Sequence, residues 1–86
     1  MSPELETLDQ LQGGDMKLSI IRMIFPDHSR FVRGISAMLG VGEIRLRTAD
    51  GKDVPRGKWS EVLAQGADEQ AAIVLSITDA GARRIG

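Results

Sequence analysis

The chain has 86 residues, enough for one domain, and an aromatic content of 3% means that its core is built mainly from aliphatic side chains. It has no cysteine and one histidine, which excludes disulfides and cysteine-based zinc sites and leaves no metal site or cofactor to expect. The net charge is −1; residues 1–16 hold four acids and no base, so the remainder carries +3, too little for a nucleic-acid footprint. Without a bilayer-spanning apolar run or a secretory leader, we expect a soluble cytoplasmic protein with no membrane partner.

The first 15 residues are predicted to form an acidic N-terminal arm ahead of a domain that spans residues 16–86. Within "SPELETLDQLQGG", Ser2 is a suitable helix cap, Pro3 suits the first helical position, and leucines recur at every third residue. Three leucines do not hold so short a helix in water by themselves. The arm is therefore either a short helix docked on the domain or on a neighbouring chain, or it is disordered.

The next two segments predict a strand followed by a helix. "MKLSIIRMIF", residues 16–25, is rich in β-branched and apolar side chains and ends at Pro26, which favours a strand. "HSRFVRGISAMLG", residues 28–40, changes to helical spacing, and its apolar face consists of Phe31, Ile35, Met38 and Leu39.

The middle of the chain predicts a β-hairpin over residues 43–54. "EIRLRT" alternates between apolar and charged side chains, which places Ile44 and Leu46 inward and the charged residues outward. Asp50-Gly51 supplies the turn, and a short second arm follows it.

The last third predicts a short helix in residues 56–66, a strand in residues 71–78 and a stub helix that Asp79 would cap. The resulting order is β-α-β-β-α-β. Such a chain folds most naturally as an α+β open-faced β-sandwich, in which helices cover one face of a four-stranded antiparallel sheet.

The only histidine, His28, stands where the first predicted helix begins. The unpaired N–H groups and the positive dipole end of a helix N-terminus favour an anion. An imidazole at that position can accept a phosphoryl group on a ring nitrogen, and Arg30 can neutralise the added charge. The alternative interpretation is a solvated turn histidine beside a surface arginine.

The stretches "DHSRFVR" and "TADGKDVPRGKWSEVLAQGADEQAAIVLSI" resemble the histidine-containing phosphocarrier protein of the sugar phosphotransferase system, HPr, over about residues 16–80. The phosphorylated histidine of that family begins the first helix in a "GLHARPA" signature, and His28 and Arg30 have the same H-x-R spacing. The chain departs from the signature at Asp27, directly before the histidine, and at Phe31, which replaces the proline, and the closing helix is much shorter than in the family.

The resemblance implies a phosphocarrier that works between enzymes rather than a stand-alone enzyme. His28 and Arg30 would be the catalytic residues, and Ser29 and Arg30 would bind the phosphate. The partners would be donor and acceptor phosphotransferase proteins. The residues expected to contact them are Phe31, Arg33, Lys58, Trp59 and Leu63.

Two alternatives remain open. The same fold could be a non-catalytic interaction module, and a homo-oligomer could form through the N-terminal arm or the exposed sheet. The ending "LSITDAGARRIG" also resembles the end of winged-helix DNA-binding domains, in which a wing strand runs into a helix. Those domains place three helices before the wing, whereas this sequence predicts one, so nucleic acid is disfavoured as a partner.

Overall fold

Residues 2–85 are described by the computed structural model, and they form a mixed arrangement of helices and one sheet. The elements are α1 (Pro3–Leu11), β1 (Met16–Lys17), α2 (Leu18–Ile21) with a 3₁₀ turn (Arg22–Ile24), α3 (His28–Gly40), β2 (Ile44–Thr48), a second 3₁₀ turn (Arg56–Lys58), α4 (Trp59–Leu63), α5 (Ala67–Gln70), β3 (Ile73–Ile77) and α6 (Asp79–Ile85). The α+β class predicted from the sequence is confirmed.

The sheet has three antiparallel strands in the order β1-β3-β2, so the prediction of four strands was wrong for the described residues. Leu46 of β2 and Met16 of β1 both pair with Leu75 on the central strand β3. The expected second arm of the hairpin is reduced to one bridge between Arg47 and Asp53. Pairing stops there because Pro55 has no N–H to donate to a ladder.

The prediction of a strand over residues 16–25 was also wrong, because all but its first two residues are helical or in a turn. Leu18, Ile21 and Phe25 are buried, whereas Met23 is exposed. This spacing of three and four residues is helical, and burying that face outweighed the β-propensity of the isoleucines.

The N-terminal segment is a helix that packs into the chain's own core. The Ser2 hydroxyl accepts the N–H of Leu5 at 3.2 Å and Pro3 is the first helical residue, as the sequence predicts. Leu8 and Leu11 are fully buried, and α1 packs against α3, α6 and β3. Gly81 allows this approach, since a Cβ there would lie only 3.1 Å from Leu8 Cδ2.

The helix at the C-terminal end, α6, is fixed to the start of β2. Arg84 Nη1 donates to both carboxylate oxygens of Glu43, at 2.7 and 2.9 Å, and Glu43 is buried rather than outward-facing. The expected Asp79 cap was wrong: the Thr78 hydroxyl accepts the N–H of Gly81 at 3.2 Å and donates to the Gly42 carbonyl at 2.5 Å.

Candidate functional site at the start of α3

Asp27 begins α3 as its N-cap residue. Its backbone is extended, its carboxylate accepts the N–H of Arg30 at 2.8 Å, and its carbonyl accepts the N–H of Phe31 at 3.1 Å. His28 and Ser29 are therefore the first two helical residues, and both are exposed. The predicted helix over residues 28–40 is confirmed.

The guanidinium that reaches His28 belongs to Arg22. Arg22 Nη2 lies 3.3 Å from His28 Nδ1. A guanidinium only donates hydrogen bonds, so Nδ1 must present its lone pair here and the neutral ring carries its hydrogen on Nε2. The role of Arg22 was not predicted, because residues 16–25 were assigned to a strand; the helical spacing of the apolar residues around Arg22 was the available signal.

Arg22 is itself held in place by the rest of the domain. Its Nη1 donates to Gln70 Oε1 at 3.2 Å, and its Cζ lies 5.7 Å from the ring centroid of Phe31. Gln70 is fully buried and donates to the carbonyls of Val62 and Leu63, each at 3.1 Å. A continuous set of hydrogen bonds thus connects His28 to α4.

Arg30 lies on the other flank of α3. Its Nη1 is 2.5 Å from Glu4 Oε2 and its Nη2 donates to Glu4 Oε1 at 2.8 Å. The structure therefore brings Arg30 to α1, away from the imidazole expected to share its site. This ion pair, with its one hydrogen bond, connects α1 to α3.

The residues expected to contact partners fall into two groups. Phe31 and Leu63 are buried in the core, and Trp59 is half-buried, with its indole N–H donating to the Val54 carbonyl at 3.1 Å. Arg33 and Lys58 are exposed, and Lys58 lies 3.4 Å from Glu61. These five residues do not form one patch around His28.

A shallow cleft of about 350 Å³ lies beside the imidazole. Its lining residues are Ser19, Arg22, Met23, Phe25, Asp27, His28 and Phe31. Met23 is 75% exposed, so its apolar side chain and the imidazole of His28 lie together at the mouth of the cleft.

No protein-family model, no curated protein and no solved structure matches this chain. Between residues 2 and 85, no helix is long and apolar enough to cross a membrane. The same residues contain no group of three or more side chains that could hold a metal ion.

Proposed function

We propose that this chain is a winged-helix-like module that presents α3 to the major groove of DNA. The observation that supports this function best is the order of elements. Three helices, α1, α2 and α3, precede β2, which pairs antiparallel with β3. The short helices α4 and α5 lie between these two strands, and β3 leads into α6. The sequence-based objection to a winged helix was that only one helix precedes the hairpin, and that objection does not apply to the structure.

The α2–α3 pair has the form of a helix-turn-helix. Helical structure continues through the 3₁₀ turn to Ile24, and three residues, 25–27, then lead into α3. A turn of this length is typical of the motif, whose second helix enters the major groove. His28 and Ser29 lie at the N-terminal end of that helix, where side chains contact base edges.

The exposed face of α3 is narrow and polar enough to enter the major groove of DNA. Its buried side is apolar, whereas its exposed positions are His28, Ser29, Arg33, Ser36, Ala37 and Gly40. Small side chains let the helix approach the base edges closely, and a major groove about 12 Å wide admits such a helix. Arg33 makes no ion pair within residues 2–85, so its guanidinium is free to donate to a guanine.

The charge balance predicts modest affinity. Asp27 adds a negative charge beside His28, and the net charge of the chain is −1. We therefore expect few phosphate contacts, on the order of two to four, and a correspondingly shallow salt dependence. Binding should be measured at about 50 mM salt as well as at physiological ionic strength.

The test is selection from a random duplex library, followed by fluorescence anisotropy with the enriched duplex. Arg33→Ala should weaken binding by about tenfold or more. Arg83→Ala removes an exposed arginine from α6 and is the matched control, which should change affinity by less than about twofold. No enrichment, or equal losses for the two variants, would contradict recognition by α3.

A second proposal is that His28 serves as the phosphoryl acceptor of a phosphocarrier. The supporting observation is the exposed imidazole with the Arg22 guanidinium 3.3 Å from Nδ1. The Nδ1 lone pair would form a P–N bond as the donor's P–N bond breaks, returning the electron pair to the donor nitrogen. Nε2 would release its proton to solvent, and the donor imidazole would take one up. Arg22 would then neutralise the phosphoryl oxygens.

Phosphorylation by a phosphotransferase donor and phosphoenolpyruvate tests this second proposal through intact mass. We expect one acid-labile phosphate, which His28→Ala abolishes. Arg22→Gln should slow acceptance more than Arg30→Gln, because Arg30 is engaged with Glu4. Absence of the phosphate from the wild-type chain would exclude the carrier function for that donor.

The structure leaves less exposed apolar surface for a protein partner than the sequence predicts. Leu8 and Leu11 lie in the chain's own core and are not offered to a second copy. Met23 and Ile20, which are 75% and 41% exposed, are the apolar side chains left for a partner near α2. Sedimentation of the wild type and of Met23→Gln would show whether they mediate association.

A further inference from the structure

The outer face of the β2–β3 pair has a cluster of hydrogen-bond donors, most of which have no partner among the described residues. Ile44, Leu46 and Leu75 point into the core, so the alternate residues of both strands point the other way. The outward residues are Arg45, Arg47, Val74 and Ser76. Arg45 and Ser76 are directly paired across the strands, and Arg47 is the diagonal neighbour of Ser76.

Ser76 is buried and has no partner. The residue is 6% exposed, and its hydroxyl makes no hydrogen bond to any atom of residues 2–85. A buried hydroxyl without a partner is unfavourable, and each such group in a folded protein calls for an explanation. On this face, the nearest cross-strand side chain belongs to Arg45, which has donors only.

The two arginines have unused donors as well. Arg45 is exposed and makes no ion pair among the described residues. Arg47 reaches Asp53 through Nε at 3.3 Å, which leaves its terminal nitrogens free of that contact. Three donor-bearing side chains therefore meet at one place, and an oxyanion is the ligand that accepts from all of them.

These side chains line an open groove of about 870 Å³. That volume lies in the range of small-molecule sites and exceeds what a lone inorganic anion needs. Three carboxylates, those of Asp15, Asp53 and Asp79, also line the groove, and their negative charges disfavour a long polyanion. Leu39 and Gly42, near the C-terminal end of α3, line it too. The groove is thus about one helix length from His28, roughly 18 Å at 1.5 Å per residue.

From these observations we infer that the outer face of β2 and β3 binds a small organic anion. Its phosphate or carboxylate group accepts hydrogen bonds from Ser76 and from the guanidinium groups of Arg45 and Arg47. The body of the ligand lies in the remaining length of the groove. The inference does not depend on nucleic-acid binding by α3 or on phosphorylation of His28.

The experiment is a ¹H–¹⁵N NMR titration of the full chain with inorganic phosphate and, separately, with acetate, at constant ionic strength. We expect saturable shifts at the amides of Arg45, Arg47 and Ser76. Saturation by phosphate assigns a phosphate group to the ligand, and saturation by acetate alone assigns a carboxylate. Shifts that do not saturate with either anion, or that centre on His28, would overturn the inference.

Variants distinguish a specific binding site from nonspecific attraction of an anion to arginines. Arg45→Gln should raise the apparent Kd by about tenfold, and Ser76→Ala by about fivefold. Arg83→Gln, the matched control on α6, should leave it within about twofold. Ser76→Val supplies a second test, because a β-branched residue suits a central strand and removes the unpaired hydroxyl, so the fold is retained. Equal Kd values for the wild type, Arg45→Gln and Ser76→Val would refute the site.

Discussion

Two arginines flank the start of α3, and they do different things. Arg30 is bound by both oxygens of Glu4 and fastens α1 to α3. Arg22 lies between Gln70 and the exposed imidazole of His28, and links a surface side chain to the buried interior. The H-x-R spacing points to Arg30, yet the guanidinium beside His28 comes from an element that precedes the helix.

The difference shows how neighbours assign a role to a charged side chain. Residues i and i+2 of a helix lie on different sides of it, so His28 and Arg30 diverge unless a ligand draws them together. A guanidinium with a partly buried carboxylate in reach pairs with it, and Glu4 is in reach only because α1 folds onto α3. Arg30 therefore has a structural role, whereas Arg22 and the adjacent His28 are available to contact a ligand.

The largest expected effect on stability comes from truncating a buried side chain of α1, the helix that pairs with Arg30. Leu8→Ala should lower the free energy of unfolding by about 3 kcal/mol, because a fully buried leucine leaves a cavity. Urea denaturation followed by circular dichroism measures it, with exposed Gln10→Ala as the control. A decrease in the free energy of unfolding below about 0.5 kcal/mol would mean that α1 does not stabilise the core.

The next largest effect on stability should come from breaking the Glu4–Arg30 ion pair. Glu4→Gln and Arg30→Gln should each cost about 1 kcal/mol, and a double-mutant cycle should return a favourable coupling of a similar size. The exposed Lys58–Glu61 pair is the matched comparison, with an expected coupling below about 0.5 kcal/mol. Equal couplings would remove the distinction between a structural pair and a surface pair.

Arg22→Gln should change the tautomer of His28 and should also lower the free energy of unfolding by about 1 kcal/mol, because it removes the donor to the buried Oε1 of Gln70. Without the guanidinium donor, the neutral imidazole no longer has a reason to keep its lone pair on Nδ1. ¹⁵N chemical shifts of the ring should show the Nε2–H tautomer in the wild type and a rise in the minor Nδ1–H tautomer in the variant. Arg30→Gln should leave the wild-type pattern unchanged; a shift of the same size in that variant would contradict the assignment.

The smallest effect lies far from both flanks, in the turn after β2. The Thr48 hydroxyl donates to Asp50 and holds the pKa of that carboxyl below its ordinary value. A lowered folded-state pKa stabilises the protein above the unfolded-state value of about 3.9, and the contribution is lost as the pH falls through the folded-state pKa. An NMR titration of the Asp50 carboxyl should show the lowered pKa in the wild type and its return toward normal in Thr48→Val.

The sequence predicts the regular elements best where local signals agree with one another. α3 has a cap at Asp27, an apolar stripe and a glycine-rich end, and β2 and β3 alternate or carry β-branched residues. Residues 16–25 gave conflicting signals, since "SIIRMIF" has high β-propensity but buries side chains with helical spacing. That one misassigned segment hid both the α2–α3 pair and the position of Arg22.

The amino-acid sequence by itself determined an aliphatic core, a helix that begins at His28, two strands after it and the absence of cysteine chemistry, because these follow from composition and from patterns within about ten residues. Only the tertiary structure decided which arginine meets His28, that α1 belongs to the core, and that Ser76 lies unpaired between donors. The positions of both arginines depend on partners distant in the chain, since Glu4 and Arg30 are 26 positions apart and Arg22 and Gln70 are 48 positions apart. Contacts of that range are set by how the elements pack and leave no periodic trace in the sequence.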